Sequence, residues 1–369
     1  MFARLRRYFF LLRLSDGYLF LGIILLISFS LSAIYSLLLS QETPDFSFFQ
    51  TQLIATIIGV ICMTIVSLFD YRFFLSASKY LYLVAIIFLI SVLLFGVSFR
   101  GTQGWLQIGG WHFQIVEGAK IALLLFLAHF FSHFGRKLNE FRYIFVSGLI
   151  TVFLFFLVLL QPDFGSAVIL FLLWLGYILI IGIKKKYIFF LVLTLLISIS
   201  FGWFFFLKDY QKERVRIFLY PERDPLGQGY NISQAQIAIG SGQWFGRGIG
   251  FGPQSQLRFL PAAHTDFIIA VIAEELGFAG IMSVLFLYGL VFYRVFRMTQ
   301  VAQDDPSVLL LLGIILLLFS EMFINIGMNI GLLPVAGIAL PFLSYGGSSL
   351  VSSLFLIGLA QSVIIHKRM

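Results

Sequence analysis

Cysteine, charge and nucleotide-binding motifs are all scarce in this sequence, and each shortage removes a class of protein. The one cysteine, Cys62, lies within an apolar run, which leaves neither an intrachain disulfide framework nor a cysteine metal cluster. Charged residues make up 11% of the 369 residues and hydrophobic ones 60%. Soluble domains carry about 25% charged and roughly 45–50% apolar residues. With a mean hydropathy of +0.99 the chain reads instead as a polytopic membrane protein. The glycines from Gly240 to Gly252 never satisfy G-x-G-x-x-G and no Walker A sequence occurs, so nucleotide binding lacks support. Those glycines suit tight turns and close backbone approach. A net charge of +8 would suggest nucleic acid in a soluble chain. Here the basic residues occupy short segments between apolar runs, the pattern of topogenic charge, and no nucleic-acid partner is expected.

What the sequence has is long apolar runs. A spanning helix needs roughly 20 apolar residues, and about ten are expected, near 17–39, 48–69, 80–98, 114–132, 143–160, 164–183, 187–206, 266–292, 308–328 and 347–365. Threading them from a cytoplasmic N-terminus places sixteen of the 25 Lys and Arg residues inside, and only Arg100 outside once the long loop between spans seven and eight is set apart. Charge in short loops sets orientation, so both termini are expected in the cytoplasm. The first run is longer than a signal-peptide core and lacks an A-x-A site, which predicts an uncleaved helix. The fold class is an all-α polytopic membrane protein, a single domain over 1–369, with a large extracytoplasmic loop at about 207–265. Loops of that length are functional or disordered. Low charge and recurrent aromatics predict an ordered cap lying partly along the membrane.

Polar residues within the spans narrow the chemistry. Asp266 is expected in the first turn of its helix at the outer boundary, capped by His264 or Thr265, where the helix dipole favours its anion. Such a carboxylate can serve as a base. Glu274 and Glu275 lie deeper and on other faces, as packing partners. Glu117 and Lys120 are three apart on one helix, a spacing that permits mutual neutralisation. Glu321, Asn325 and Asn329 form a stripe at four-residue spacing that must face a bundle interior or a water cavity. Two motifs carry little. Ser76 to Lys79 fits S-x-x-K but lies on the expected cytoplasmic side without K-T-G or S-D-N companions. His129 and His133 are spaced like zinc ligands but lack the Glu of H-E-x-x-H.

Three segments resemble the SEDS family of cell-wall polymerases: "NIGMNIGLLPVAGIALPFLSYGGSS" from Asn325 to Ser349, "QPDFGSA" from Gln161 to Ala167, and the long loop running into "HTDFIIAVIAEELGF". Within the loop, "DPLGQGYNI", "AIGSG", "QSQL" and "FLP" are similar to the RodA branch more than to the FtsW branch. The ten-span topology agrees, and the resemblance covers essentially the whole chain. It implies that Asp266, in the H-T-D-F segment, is the catalytic residue, and it implies roles for Trp105 in "GWLQIG" and for Glu117 and Lys120 in "FQIVEGAK". Ile115 and Val116 stand where the family usually has Pro-Ser, Gly104 where a basic residue often precedes the Trp, and Ala262 replaces a common Glu.

The resemblance implies a peptidoglycan glycosyltransferase that polymerises lipid II into glycan strands for cell elongation and rod shape. Its setting would be the bacterial cytoplasmic membrane, its partners a class B penicillin-binding protein and the MreC and MreD proteins. Pyrophosphate is a good leaving group, so a single base, Asp266, suffices where a glycosidase needs two carboxyl groups. Charge on the departing pyrophosphate calls for fixed cations; the candidates are Arg214, Arg223, Arg247, Arg258 and Lys120, and a divalent ion could share the task. No cofactor is required and no protein metal site is expected. Membrane lipids would surround the spans, and Trp105, on a short outside loop, could pack on sugar or lipid. The competing reading is a lipid II flippase, with Glu117, Lys120, Glu321, Asn325 and Asn329 lining a path. Against it, the chain lacks evident inverted repeats. A third is a noncatalytic scaffold, which would tolerate Asp266→Asn.

Overall fold

The computed structural model describes residues 15–39, 45–99, 102–109, 111–135, 140–201, 209–224 and 227–367. In a bilayer each backbone N–H and C=O must find its partner within the chain, and the apolar runs meet that demand as helices: α1 (Gly17–Leu39), α2 (Ser47–Leu68), the short α3 (Tyr71–Ser76), α4 (Ser78–Phe95), α5 (Ile115–Phe134), α6 (Phe141–Leu160), α7 (Phe164–Ile181), α8 (Lys185–Phe201), α9 (Asp209–Leu219), α10 (Gln228–Ser241), α11 (Pro253–Gln256), α12 (Ile268–Val301), α13 (Asp305–Asn329) and α14 (Gly347–Lys367). Among the described residues nine are long and apolar enough to cross a membrane: α1, α2, α4 to α7 and α12 to α14. The span expected at 187–206 corresponds to α8, whose 17 described residues adjoin a segment outside the described set. The chain is a helical, multi-pass membrane protein.

Two features depart from the expected pattern. Residues 97–114 form a three-stranded antiparallel sheet, β1 (Val97–Phe99), β2 (Thr102–Ile108) and β3 (Trp111–Gln114), in the order β1-β2-β3. Trp105 therefore lies in a strand, facing Val97 on one side and Gln114 on the other, and not on a short loop. The second departure is α12, which extends to Val301 and carries Arg294 with it; the guanidinium is held by Asp16 just before α1, with Nε 2.9 Å from Oδ2.

The core is formed where α14 packs along α2, α1 along α12, and α13 against α5, α7 and α12. On the face that carries Asp16, Asp304 caps α13 by accepting from the Ser307 amide at 3.0 Å. It also takes the Tyr71 hydroxyl at 2.8 Å and Arg72 Nη2 at 3.1 Å. Partial burial would raise the Asp304 pKa, but the hydrogen bonds from Ser307, Tyr71 and Arg72 outweigh it and hold the carboxyl below its ordinary value.

α12 is broken. Gly277 adopts φ 68° and ψ −162°, which divides the helix into a short segment up to Leu276 and a long one from Phe278. A break of this kind frees backbone groups that water cannot reach in a bilayer. The preceding loop supplies their partners: Phe278 N donates to Gln243 O at 2.8 Å, Ala279 N to Trp244 O at 3.0 Å, Arg247 N to Glu274 O at 2.9 Å and Gly248 N to Glu275 O at 2.9 Å. The two glutamates tighten the join. Glu274 accepts from the backbone amides of Gln254 at 2.7 Å and Ser255 at 2.9 Å, and Glu275 from the Gly250 amide at 3.2 Å and the Ser36 hydroxyl. Both fasten the loop, and Glu275, through Ser36, also fastens α1. A Cβ at Gly277 would lie 2.4 Å from the Gly246 nitrogen, at a φ that side chains rarely adopt. Gly277→Ala should therefore destabilise the protein by more than about 1 kcal/mol, read as a lower unfolding temperature in detergent; an unchanged midpoint would refute the fit.

Candidate active site

Asp266 sits in the turn 261–267, two residues before α12 rather than in its first turn, and the N-cap position of that helix is Phe267. The reason is local. Thr265 N donates to Ala262 O at 3.0 Å, with Ala262 at φ 53°, and Ala270 N turns to Phe267 O. The carbonyl of Asp266, which would otherwise begin the helical ladder, is occupied from outside.

That occupation extends over three consecutive residues. His264 O accepts from Tyr345 N at 2.8 Å. Thr265 O accepts from Ser344 Oγ at 2.6 Å. Asp266 O accepts from Asn329 Nδ2 at 2.9 Å and Asn325 Nδ2 at 3.2 Å. Both asparagines are fully buried. Each uses its second amide hydrogen nearby, Asn325 on Ile338 O at 2.7 Å and Asn329 on Asn325 O at 2.9 Å. The polar stripe of α13 thus faces the bundle interior and ends on the main chain of Asp266.

The 336–346 segment is held just as firmly. Ser344 Oγ accepts from Leu340 N at 2.8 Å, and Gln52 of α2 spans the turn, donating to Ser344 O at 3.3 Å and accepting from Gly346 N at 3.2 Å. The rings of Phe48, His264 and Tyr345 pack on one another at 4.8 to 5.5 Å between centroids. The "QPDFGSA" segment reaches the same region: Asp163 caps α7 through the Ser166 amide at 2.9 Å and the Ser166 hydroxyl at 2.8 Å. Beside it, a Cβ on Gly165 would come within 2.3 Å of Ala336 O. Gln161 O accepts from Gln103 N of β2 at 3.2 Å, and the sheet is docked on α14 by Gln114 N to Ser348 Oγ at 3.1 Å. Three segments far apart in sequence meet at the end of α13.

One turn deeper, Lys120 Nζ lies 2.8 Å from Glu117 Oε1 and also holds Glu321 Oε1. All three side chains are at most 10% exposed. Charges buried this deeply persist only when paired. Lys120 is balanced by two carboxylates, so it joins α5 to α13 rather than offering a cation to the outer surface. Of the remaining candidates, Arg223 is exposed and lies over the Tyr220 ring at 5.1 Å. Arg247 and Arg258 are exposed on the loop fastened to α12. The Arg214 side chain lies outside the described residues, and Trp105 is half-buried in β2. Among the described residues no three His, Cys, Asp or Glu side chains gather as a metal site. Ser76 Oγ donates to Phe73 O at 2.8 Å, and His129 packs on His133 at 4.5 Å.

The family model of FtsW, RodA and SpoVE, described as cell cycle protein, matches residues 10–369. The chain is 38% identical over 343 residues to the peptidoglycan glycosyltransferase MrdB of Escherichia coli K12, covering 91% of each chain. It is 36% identical over 356 residues to the stage V sporulation protein E of Bacillus subtilis 168, covering 95% of each. Among solved structures it matches a chain from a peptidoglycan synthase complex that coordinates polymerization and crosslinking, at TM-score 0.79 and 29% identity over 96% of this chain and 98% of that one. It also matches the Thermus thermophilus rod shape determining protein RodA, at TM-score 0.69 and 25% identity over 96% and 98%. The chain belongs to the FtsW, RodA and SpoVE family of multi-pass membrane proteins.

The charge balance in the triad makes a ranking. Lys120→Met leaves two buried carboxylates without their cation and should cost about 3–5 kcal/mol. Glu321→Gln leaves a neutral Lys120–Glu117 pair and should cost far less. Thermal unfolding of the purified variants tests the order, and a reversed order would contradict it.

Proposed function

We propose that this chain is a peptidoglycan glycosyltransferase of the RodA type, polymerising lipid II in the bacterial cytoplasmic membrane with both termini in the cytoplasm. Relatives matched over nine-tenths of the chain bear that activity in their names. The observation that carries the residue assignment is the capture of the His264, Thr265 and Asp266 carbonyls, which fixes one carboxylate residue where the family segments converge.

The reaction joins the 4-hydroxyl of one lipid-linked sugar to the anomeric carbon of the growing glycan strand. As the new C–O bond forms, the bond to the pyrophosphate oxygen breaks and the α-linkage inverts to β. Asp266 takes the hydroxyl proton. The departing pyrophosphate is met by guanidinium groups of the outer segment, among Arg214, Arg223, Arg247 and Arg258, because Arg matches phosphate geometry; a divalent ion, were one bound beside them, would add positive charge for the same task. Glu117 and Lys120 act one layer below, by holding α5 against the helix that supplies the asparagines. Trp105 offers an aromatic face to sugar or lipid. A class B penicillin-binding protein is the transpeptidase partner, in keeping with the synthase complex the fold resembles, and MreC and MreD complete the elongation assembly. The flippase reading loses force because the Lys120 ammonium is held between Glu117 and Glu321 and the amide hydrogens of both asparagines go to backbone carbonyls.

Glycan formation from purified lipid II tests the proposal. The enzyme is co-purified with a class B penicillin-binding protein lacking transpeptidase activity. Wild type should make polymer, and folded, partner-bound Asp266→Asn should lose at least about 100-fold in rate, the lower range for a general base. Equal polymer from both would remove Asp266 as base. No polymer from either would favour transport.

A further inference from the structure

The outer loop carries an unusual surface. Trp244, Phe245, Phe251 and Leu257 are 69%, 85%, 77% and 64% exposed, with Arg247 and Arg258 beside them. Four backbone hydrogen bonds and two glutamates hold this loop against α12, so these side chains are presented outward from a fixed backbone. Large contiguous apolar patches of this kind mark protein or membrane contacts.

Two helices, measured from one shared level, give their depth. On α12, Arg294 and its partner Asp16 mark one membrane face, and Phe278 lies about 16 residues away, or about 24 Å at 1.5 Å per residue. The hydrocarbon layer is about 30 Å thick, so Phe278 falls roughly 6 Å inside its opposite edge. The Trp244 ring packs edge-on against Phe278 at 5.3 Å. On α1, Ser36 stands about 30 Å and Leu39 about 35 Å from the Asp16 level. Gln256 Nε2 donates to Ser36 O at 3.2 Å, and Leu39 lies 3.6 Å from the Cβ position of Gly250. The 250–256 stretch is thus at the hydrocarbon boundary, and the Trp244–Phe245 end dips below it.

We infer that residues 244–257 are a re-entrant wedge in the lipid leaflet on the Asp266 side, with Trp244 and Phe245 among the acyl chains, Phe251 and Leu257 at the boundary, and Arg247 and Arg258 at the phosphate level. The occupant of this surface is phospholipid. Aromatic residues favour that interface, and long basic side chains reach from it to the headgroups. The wedge is continuous with the short α12 segment that follows Asp266, so the bilayer itself helps set the height of that residue. The wedge stands on geometry alone and is independent of the catalytic assignment.

Nitroxide depth measurement in phospholipid nanodiscs, without partner proteins, tests it. In a Cys62→Ser background the label is placed by Phe245→Cys, Phe251→Cys or, as a water-exposed reference, Glu222→Cys. Phe245 and Phe251 are exposed, so their replacement removes no core packing, and two sites guard against failure of one. The ratio of oxygen to water-soluble nickel collisions should be several-fold higher at 245 than at 222, with 251 between them. Nickel access at 245 equal to that at 222 would overturn the wedge. So would exclusion of both reagents, which would mean that protein covers the patch.

Discussion

The capture of three successive carbonyls is the constraint on which this architecture turns. The carbonyls of His264, Thr265 and Asp266 accept from Tyr345, Ser344, Asn325 and Asn329 in place of a helical ladder. Each of those donors is itself fixed: the asparagines by α13, and Ser344 and Tyr345 by a turn that Gln52 of α2 holds from both sides. The Thr265 and Asp266 carbonyls belong to the two peptide planes that flank the Asp266 Cα, and holding both planes fixes the direction of its Cα–Cβ bond. The Cα–Cβ bond of Asp266 is thereby aimed.

Around this point the protein resolves a conflict between the membrane and an irregular backbone. Non-helical backbone at membrane depth survives only where protein partners satisfy it. The break at Gly277 meets that condition with the 243–248 loop, the turn before α12 meets it with α13 and the 340–345 segment, and the charges of Glu117, Lys120 and Glu321 meet it with each other. The site is therefore rigid on its protein side.

The spans were legible in the sequence because apolar length is read directly, and α1 falls at the residues expected, 17–39. The interior direction of Glu321, Asn325 and Asn329 was legible too, since a polar stripe cannot face acyl chains. What they bind was not, because the partner of the asparagines is a backbone carbonyl some 60 residues away and leaves no trace in side-chain pattern. The break at Gly277 was hidden for a similar reason: "EELGFAG" continues an apolar helix by composition, and only the docked loop makes the left-handed glycine conformation favourable. The sheet at 97–114 was not legible, because strands of three to seven residues carry little periodicity. Gln52 and Gln50 are both amides in a largely apolar span, and nothing in the sequence separates the buried one from its neighbour. The four loop arginines share a chemical role rather than a sequence pattern, and they fall on α9, the 221–223 turn and the 244–258 stretch.

The claim that backbone capture aims Asp266 is tested most directly by replacing both donors, Asn325→Leu with Asn329→Leu, and measuring the turnover and KM of lipid II polymerisation in the partner-bound enzyme. The account predicts a fall in turnover of at least about tenfold, since misplacement near 1 Å costs on the order of 100-fold, with KM and partner binding retained. Rescue should follow when Ser restores a donor at 329. Full turnover from a folded double variant would contradict it.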